Sequence, residues 1–336
     1  MRGGLRSRRR PRVVVIGAGM AGLTAARRLV SACDVLVLDK GRGVGGRMAT
    51  RRIGDAVFDH GAQFVTAHTD EFAERIRGLA DDGVVVPWFR GRIGPDGVHA
   101  GGGHDRYRGA VSMNAVARAL AVGLDVRTGV QVAALGVEAH GWRVLLADGS
   151  EFGAEAVVAT APVPQSLALL EAGGVRLADG DADALGVIAY DRCLAVMAVL
   201  DGPSGLPAPG AVDPQDGSVD WVADNRVKGI SAVPAVTIHA AAAYSGARWT
   251  ADDAEIAAEL LTAAKLESPP VAGLVQVQRW RYARPSVGHP HRTLVLDGLP
   301  PFAIAGDAFG GAKVEGAALS GTAAAEALVT AFGLGT

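Results

Sequence analysis

Cysteine is nearly absent: the 336 residues include only Cys33 and Cys193, with no CxxC pair and no Cys/His cluster. This argues against a disulfide framework and makes a reducing, cytoplasmic compartment the expectation. Long apolar runs are missing too. Glycine or a charged residue interrupts each one before the ~20 residues that a membrane span needs, so no transmembrane helix is expected. Lysines are few, and the basic charge is concentrated in Arg2, Arg6, Arg8, Arg9, Arg10 and Arg12. That tail lacks the interleaved aromatics of a nucleic-acid arm, and the apolar segment and cleavage site of a signal peptide. Residues 1–12 therefore read as a disordered, solvated extension. His289-Pro-His291 is the nearest approach to a metal pair, but a proline divides it and no carboxylate partner stands nearby, so no metal site is expected.

The length favours two domains, and the first residues after the tail are the most informative. VVVIGAGMAG at 13–22 runs β-branched residues into Gly17, Gly19 and Gly22, and VLVLDK places an acid at Asp39, about 20 residues further on. Gly17 permits a tight turn, Gly19 lets a pyrophosphate approach the backbone, and Gly22 lets the helix pack closely. The helix N-terminus faces the phosphates, and Asp39 suits the hydroxyls of a ribose. This is a dinucleotide site, and by itself it does not separate FAD from NAD or NADP.

Two further segments separate them. GRGVGGR at 41–47 puts Gly45 and Gly46 beside Arg47, which suits a second approach to pyrophosphate oxygens through a guanidinium fork. Gly306-Asp307 ends a late apolar strand and offers a carboxylate to a sugar hydroxyl, before a glycine turn and a small-residue helix. The N-terminal end of that helix can stabilise negative charge on a reduced flavin. FAD, stretched across its domain, accounts for all three segments, whereas NAD accounts for the first alone.

The remaining periodicity gives a strand at 13–16, a helix at about 21–31 and a strand at 35–39. A helix at about 113–122 follows, then a hairpin turning at Asp148-Gly149 and a buried strand in AEAVVATAPVPQ. Residues 41–64 show no clean period. β-like runs fall at 186–200, 219–223, 235–244 and 273–283, with a helix at 251–266 capped by Thr250. Residues 302–305 form another short strand.

GAGMAG, DKGRGVGGRMATRR, DHGAQF, VVATAPVP and GDAFGGAKVEGAALSG together resemble the FAD-binding framework of flavin amine oxidases and renalases. HGAQFVTA, DN at 224–225, VTIHA and QRWRYA are more similar to bacterial renalase-like oxidoreductases. The resemblance implies an α/β, two-domain FAD-binding fold of the p-hydroxybenzoate hydroxylase and amine oxidase type. A Rossmann-like FAD domain would comprise 1–85, 105–165 and 286–336, and a mixed-sheet substrate domain 86–104 and 166–285. It implies FAD contacts from Gly17, Gly19, Met20, Ala21, Gly22, Asp39, Lys40, Gly46, Arg47, Met48, His60, Gly61, Ala62 and Gln63. Val132, Thr160, Gly306, Asp307, Lys313, Val314 and Ala317 complete that set. Flavin attachment would be noncovalent, because no cysteine follows Cys193.

For the substrate cavity the resemblance implies Asn225, His239, Trp280 and Tyr282, with Gln63 near the flavin. The implied reaction oxidises 2- and 6-dihydro isomers of NAD(P)H to NAD(P)+ and reduces O2 to H2O2. A dihydropyridine becomes aromatic on losing hydride, so orientation matters more than acid–base power. Trp280 could stack on the ring while Asn225 and His239 hold its carboxamide. Two alternatives fit the same residues: a flavin oxidase of amines or other small metabolites, and a flavin-binding protein without turnover.

Overall fold

A computed structural model describes residues 9–99, 102–214 and 217–334; the basic segment 1–8 of the expected tail lies outside them. Strand Arg12–Ile16, helix Met20–Leu29 and strand Asp34–Asp39 form the expected opening unit. Val13, Val14 and Val15 expose no surface, as befits a strand covered on both faces. The sheet has six strands, ordered Leu294–Val295, Phe302–Ile304, Ala156–Ala159, Arg12–Ile16, Asp34–Asp39 and Asp125–Thr128. All its pairings are parallel except the first. The GAG turn, Lys40, Thr160 and Gly306-Asp307 therefore emerge together at the C-terminal ends of neighbouring strands, where open parallel sheets bind ligands.

Helices Met20–Leu29, Asp70–Asp81, Asn114–Ala121 and Lys313–Ala331 share one apolar cluster with one face of the sheet. A three-stranded antiparallel meander from Val132 to Ala154 and helix Val163–Ala172 cover the other. Each fully buried Val or Leu in these layers stabilises the fold by about 1.5–3 kcal/mol relative to exposure. Small residues set the helix spacing: a Cβ at Gly321 would overlap the Ala21 carbonyl oxygen, so the last helix crosses the first nearly backbone to backbone. No helix among the described residues is long and apolar enough to cross a membrane.

The second sheet has five strands, ordered Ala211–Val212, Val219–Asp224, Ala235–Ala240, Ala189–Leu200 and Pro270–Val287. One face packs on helix Asp253–Ala263. The other receives the hairpin Thr50–Ile53 and Ala56–Asp59, whose Ile53, Ala56 and Phe58 meet Met197, Val199 and Ala235. This hairpin carries the chain from the cofactor loops to the second sheet.

Several expectations need correction. Residues 41–64 contain that hairpin; Arg51 and Arg52 hide its period, and Gly54 at φ 56° makes its two-residue turn. The second sheet is antiparallel throughout and not mixed: each of its four pairings is antiparallel, although the chain does not visit its strands in spatial order. The run 235–244 ends as a strand at Ala240 and becomes a short helix, Ala242–Ala247, because Ala favours helix. The helix expected at 251–266 spans Asp253–Ala263, and its cap is Asp252, not Thr250: the Asp252 carboxylate accepts from Ala254 N at 2.8 Å. Residues 85–90 pair with 105–109, so one ladder spans the expected domain boundary at 104.

Candidate active site

Four loops are docked on one another. Gly17, at φ 106°, turns back beneath Thr160, whose hydroxyl donates to the Ile16 carbonyl at 2.8 Å. A Cβ at Gly22 would overlap the Gly17 carbonyl oxygen, whereas a Cβ at Gly19 would meet nothing within 4 Å. The first glycine of this pair closes the turn against its helix, and the second leaves open space beside the helix N-terminus. Gly45 N donates to Ala18 O at 2.8 Å, which seats the GGR loop on the GAG turn. Ala62 N donates to Arg47 O at 2.8 Å, and a Cβ at Gly61 would overlap that same oxygen, so the HGAQ loop is seated on the GGR loop in turn.

Arg47 closes the set from the other end. Its guanidinium grips Asp307 through two 2.6 Å bonds and also donates to the carbonyl of Tyr282 at 3.2 Å. The sequence assigned Arg47 to pyrophosphate and Asp307 to a sugar hydroxyl; in the structure they bind each other. The pair joins the first sheet to the longest strand of the second. Asp39 accepts from Ala18 N and from Gly41 N, each at 2.6 Å, so its carboxylate is fixed by the glycine loops.

A cavity of about 520 Å3 extends from Asp39 past Gly41–Val44 and Gly46 to Arg51, His60, Gln278 and Trp280. Arg42, Arg51, Arg52 and Arg118 line it, giving a positive wall suited to phosphate. Its size lies within the range of cofactor clefts. The open cradle at Gly19, the docked glycine loops and this cationic groove fit a dinucleotide such as FAD.

His60 lies where the two sheets meet. The Trp280 ring stacks on the His60 ring at 5.2 Å with planes 15° apart, and Trp280 Nε1 donates to the His60 carbonyl at 2.8 Å. His239 Nε2 donates to the same carbonyl at 3.2 Å. That bond fixes the His239 tautomer and leaves Nδ1 as an acceptor. Burial pushes both imidazoles down to about 4, and the neighbouring positive charge of Arg51 adds to the effect at His60, as does that of Lys228 at His239. Both are neutral at pH 7. His60 Nδ1 is buried with no hydrogen-bond partner. Trp221, His239, Ala195 and Gln278 are mutual register partners across four strands of the second sheet, and so share one face.

Gln63 belongs to a buried network that the sequence did not reveal. Lys228 is fully buried and its Nζ lies 2.8 Å from Asp59 Oδ2 and 3.2 Å from Gln63 Oε1. Gln63 Nε2 donates in turn to the Asp59 carbonyl. Asp59 Oδ1 accepts from the Thr50 hydroxyl at 2.7 Å and from Met113 N at 2.9 Å. Burial pulls the Lys228 ammonium pKa down, while the Asp59 carboxylate opposes that fall. In sequence, Lys228 follows the Asp224-Asn225 pair with no distinguishing neighbour; only the fold brings it to Asp59.

Other expected residues lie apart from the stacked rings. Asn225 is wholly buried and turns inward, its amide donating to Thr237 Oγ1 at 3.0 Å; its Oδ1 has no partner. Tyr282 packs edge-on against Tyr190 at 5.4 Å, because a register shift between Asp191 and Cys193 displaces it from the Trp280 row. Val132 starts the meander and is buried, with Val130 N donating to Asp39 O at 2.9 Å beside it. Lys40 reaches Gln165 at 3.2 Å. Met20, Ala21 and Met48 are buried in the layer beneath the loops, with Val314 and Ala317 packed against it. Lys313 is the first residue of the last helix, at φ 75°.

Residues 15–82 match the model of the NAD(P)-binding Rossmann-like domain, and residues 93–329 match that of the flavin containing amine oxidoreductases. The chain therefore belongs to the flavin-containing amine oxidoreductase family, a family of oxidoreductases. Among curated proteins it is 41% identical over 58 residues to polyamine oxidase 7 of Oryza sativa subsp. japonica, a match spanning 17% of this chain and 12% of that one. A candidate protoporphyrinogen oxidase from Exiguobacterium sp. 255-15 superposes with a TM-score of 0.72, at 13% identity, covering 98% of this chain and 100% of that one. The CLA-producing fatty acid isomerase of P. acnes gives 0.68 at 13% identity, covering 96% and 98%. These two likenesses are of fold.

Proposed function

We propose that the chain is an FAD-dependent oxidase that converts 2- and 6-dihydro isomers of NAD(P)H to NAD(P)+. Noncovalently bound FAD would supply the two-electron acceptor, passing the electrons to O2 to give H2O2. The observation that carries this reading is that the two imidazoles beside Trp280 are neutral and poor bases, while the cations near them, Arg51 and Lys228, are no bases at all. Both imidazoles have pKa values near 4, and the Lys228 ammonium is already held by Asp59. An ammonium substrate must lose a proton before it is oxidised, whereas a dihydropyridine needs only to be oriented.

This chain's residues supply that orientation. Trp280 and His60 offer stacked ring faces, and Gln63 is held rigid between Lys228 and the Asp59 carbonyl. The His239 tautomer leaves a ring nitrogen able to accept from a carboxamide. The Arg47–Asp307 pair ties the glycine loops to the second sheet, so a cofactor in the first is held in fixed register with a substrate on the second. Anaerobic mixing of the flavin-loaded protein with 6-dihydro-NAD is expected to bleach the flavin absorbance within seconds. Bleaching by amines, with the nucleotides inert, would reject the proposal.

A flavin amine oxidase is the second reading, favoured by the family and by the short match to a plant protein named as a polyamine oxidase. It requires a site that receives an amine in its uncharged form.

A further inference from the structure

Phe64 follows Gln63 and leads into a second aromatic group. Its ring lies 6.3 Å from Trp88, 6.2 Å from Phe89 and 5.6 Å from Trp221. Trp88 lies 4.9 Å from Phe89 and 6.2 Å from Trp221. All four rings are half-buried, so part of the corner is open to a ligand. Three separate segments supply the rings, and Trp221 is the strand neighbour of His239.

Two features distinguish this corner from ordinary core. Trp221 Nε1 is buried with no hydrogen-bond partner, and so is Arg106 Nε. The Arg106 guanidinium lies 5.1 Å from the centre of Phe64 and 4.8 Å from that of Phe89, and donates to the Gly91 carbonyl. Among the described residues, no carboxylate pairs with it. Lys228, 4.9 Å from Trp88, already has Asp59 as counter-ion. The corner therefore has one uncompensated positive charge and two idle donors. A partly desolvated guanidinium without a counter-ion is costly, and an anion or strong acceptor placed beside it recovers that cost. An ammonium ion brought here would meet like charge.

We propose that Phe64, Trp88, Phe89, Trp221 and Arg106 form a substrate subsite for a planar conjugated ring bearing an anionic or strongly hydrogen-bond-accepting group, and that it rejects organic ammonium ions. The proposal rests on oxidation taking place beside Gln63, and it narrows the substrate class of that site. Trp221 Nε1 donates to the acceptor group, Arg106 faces the negative charge, and the rings supply stacking area. A dihydronicotinamide nucleotide carries these elements, with a ring carboxamide and phosphates.

Three pyridines of similar shape and different charge test the assignment: nicotinate, nicotinamide and 3-picolylamine, titrated calorimetrically into the flavin-loaded protein at pH 7. Nicotinate is expected to bind about tenfold or more tighter than the amine, because charge-assisted pairing replaces like-charge contact. Arg106→Gln is expected to erase that advantage, and Trp221→Phe to weaken nicotinate and nicotinamide alike while flavin content stays unchanged. Amine binding as tight as nicotinate would overturn the subsite, as would an Arg106→Gln protein with the wild-type preference. The comparison of the three probes on the wild-type protein needs no variant to fold. Dihydro-nucleotide turnover is read separately. Turnover without the anion preference overturns the subsite alone, and the preference without turnover overturns the nucleotide substrate alone.

Discussion

Replacing Lys228 with Met tests whether the junction between the two sheets is held as the structure shows. The ammonium lies 2.8 Å from Asp59 Oδ2 with both side chains wholly buried. At an effective dielectric of about 20, that separation gives an attraction of roughly 6 kcal/mol. Desolvating two ions opposes it by several kcal/mol each, so the intact pair contributes little net stability. Losing one partner is different, because a buried carboxylate left alone costs about 3–5 kcal/mol. Asp59 keeps the Thr50 hydroxyl and the Met113 N–H, which places the expected loss near the lower end, about 3 kcal/mol. Urea unfolding of Lys228→Met should show that loss as a lower midpoint at constant slope. The double variant Lys228→Met, Asp59→Asn should recover most of it, since no charge remains buried. A single variant as stable as the wild type, or a double variant no better than the single, would refute the reasoning.

Other outcomes follow from the same geometry. His60 and His239 have pKa values near 4 in the folded chain against 6.5 unfolded, so between those values the unfolded chain binds more protons and stability falls as pH drops. Each histidine contributes on the order of 3 kcal/mol to that loss; unfolding midpoints unchanged between pH 7 and pH 4.5 would contradict it. Gly22→Ala is expected to yield protein with little flavin, because its Cβ would overlap the Gly17 carbonyl oxygen; full flavin content would contradict the tight turn. Asp39→Ala frees two backbone N–H groups and should weaken FAD retention by about 1–3 kcal/mol, measured as flavin lost on dialysis. Trp280→Ala should keep the flavin and slow its reduction by substrate; parallel loss of both would make the tryptophan a core residue only.

Local signals carried the first half of the fold. Val13–Ile16, the three glycines and Asp39 lie within one short segment, and each has a backbone or packing reason that reads directly from residue type. Gly306-Asp307 was legible for the same reason, as a short apolar strand ending in a glycine. The hairpin at 50–59 was not, because Arg52 points outward while Arg51 reaches Gln276 and Gln278 of the second sheet, so two adjacent arginines leave no apolar alternation. Long-range pairing was also hidden: nothing local tells that Arg47 grips Asp307, that Tyr282 leaves the Trp280 row at a register shift, or that Lys228 meets Asp59. Asn225 was read as a substrate contact from its motif alone; the fold shows its amide nitrogen tying a turn to Thr237, while its Oδ1 has no hydrogen-bond partner. The stacked His60–Trp280 pair joins residues read from separate motifs, and only the meeting of the two sheets makes them neighbours.

The central claim is that the four docked loops would together hold one FAD per chain without a covalent bond. Its most direct test is the flavin released by acid from purified, FAD-reconstituted protein, counted per chain and followed through Arg47→Met. One FAD per chain, freed without covalent residue and depleted in the variant, is the expected result. Protein that stays colourless after reconstitution, or an Arg47→Met variant that retains the full complement, would contradict it.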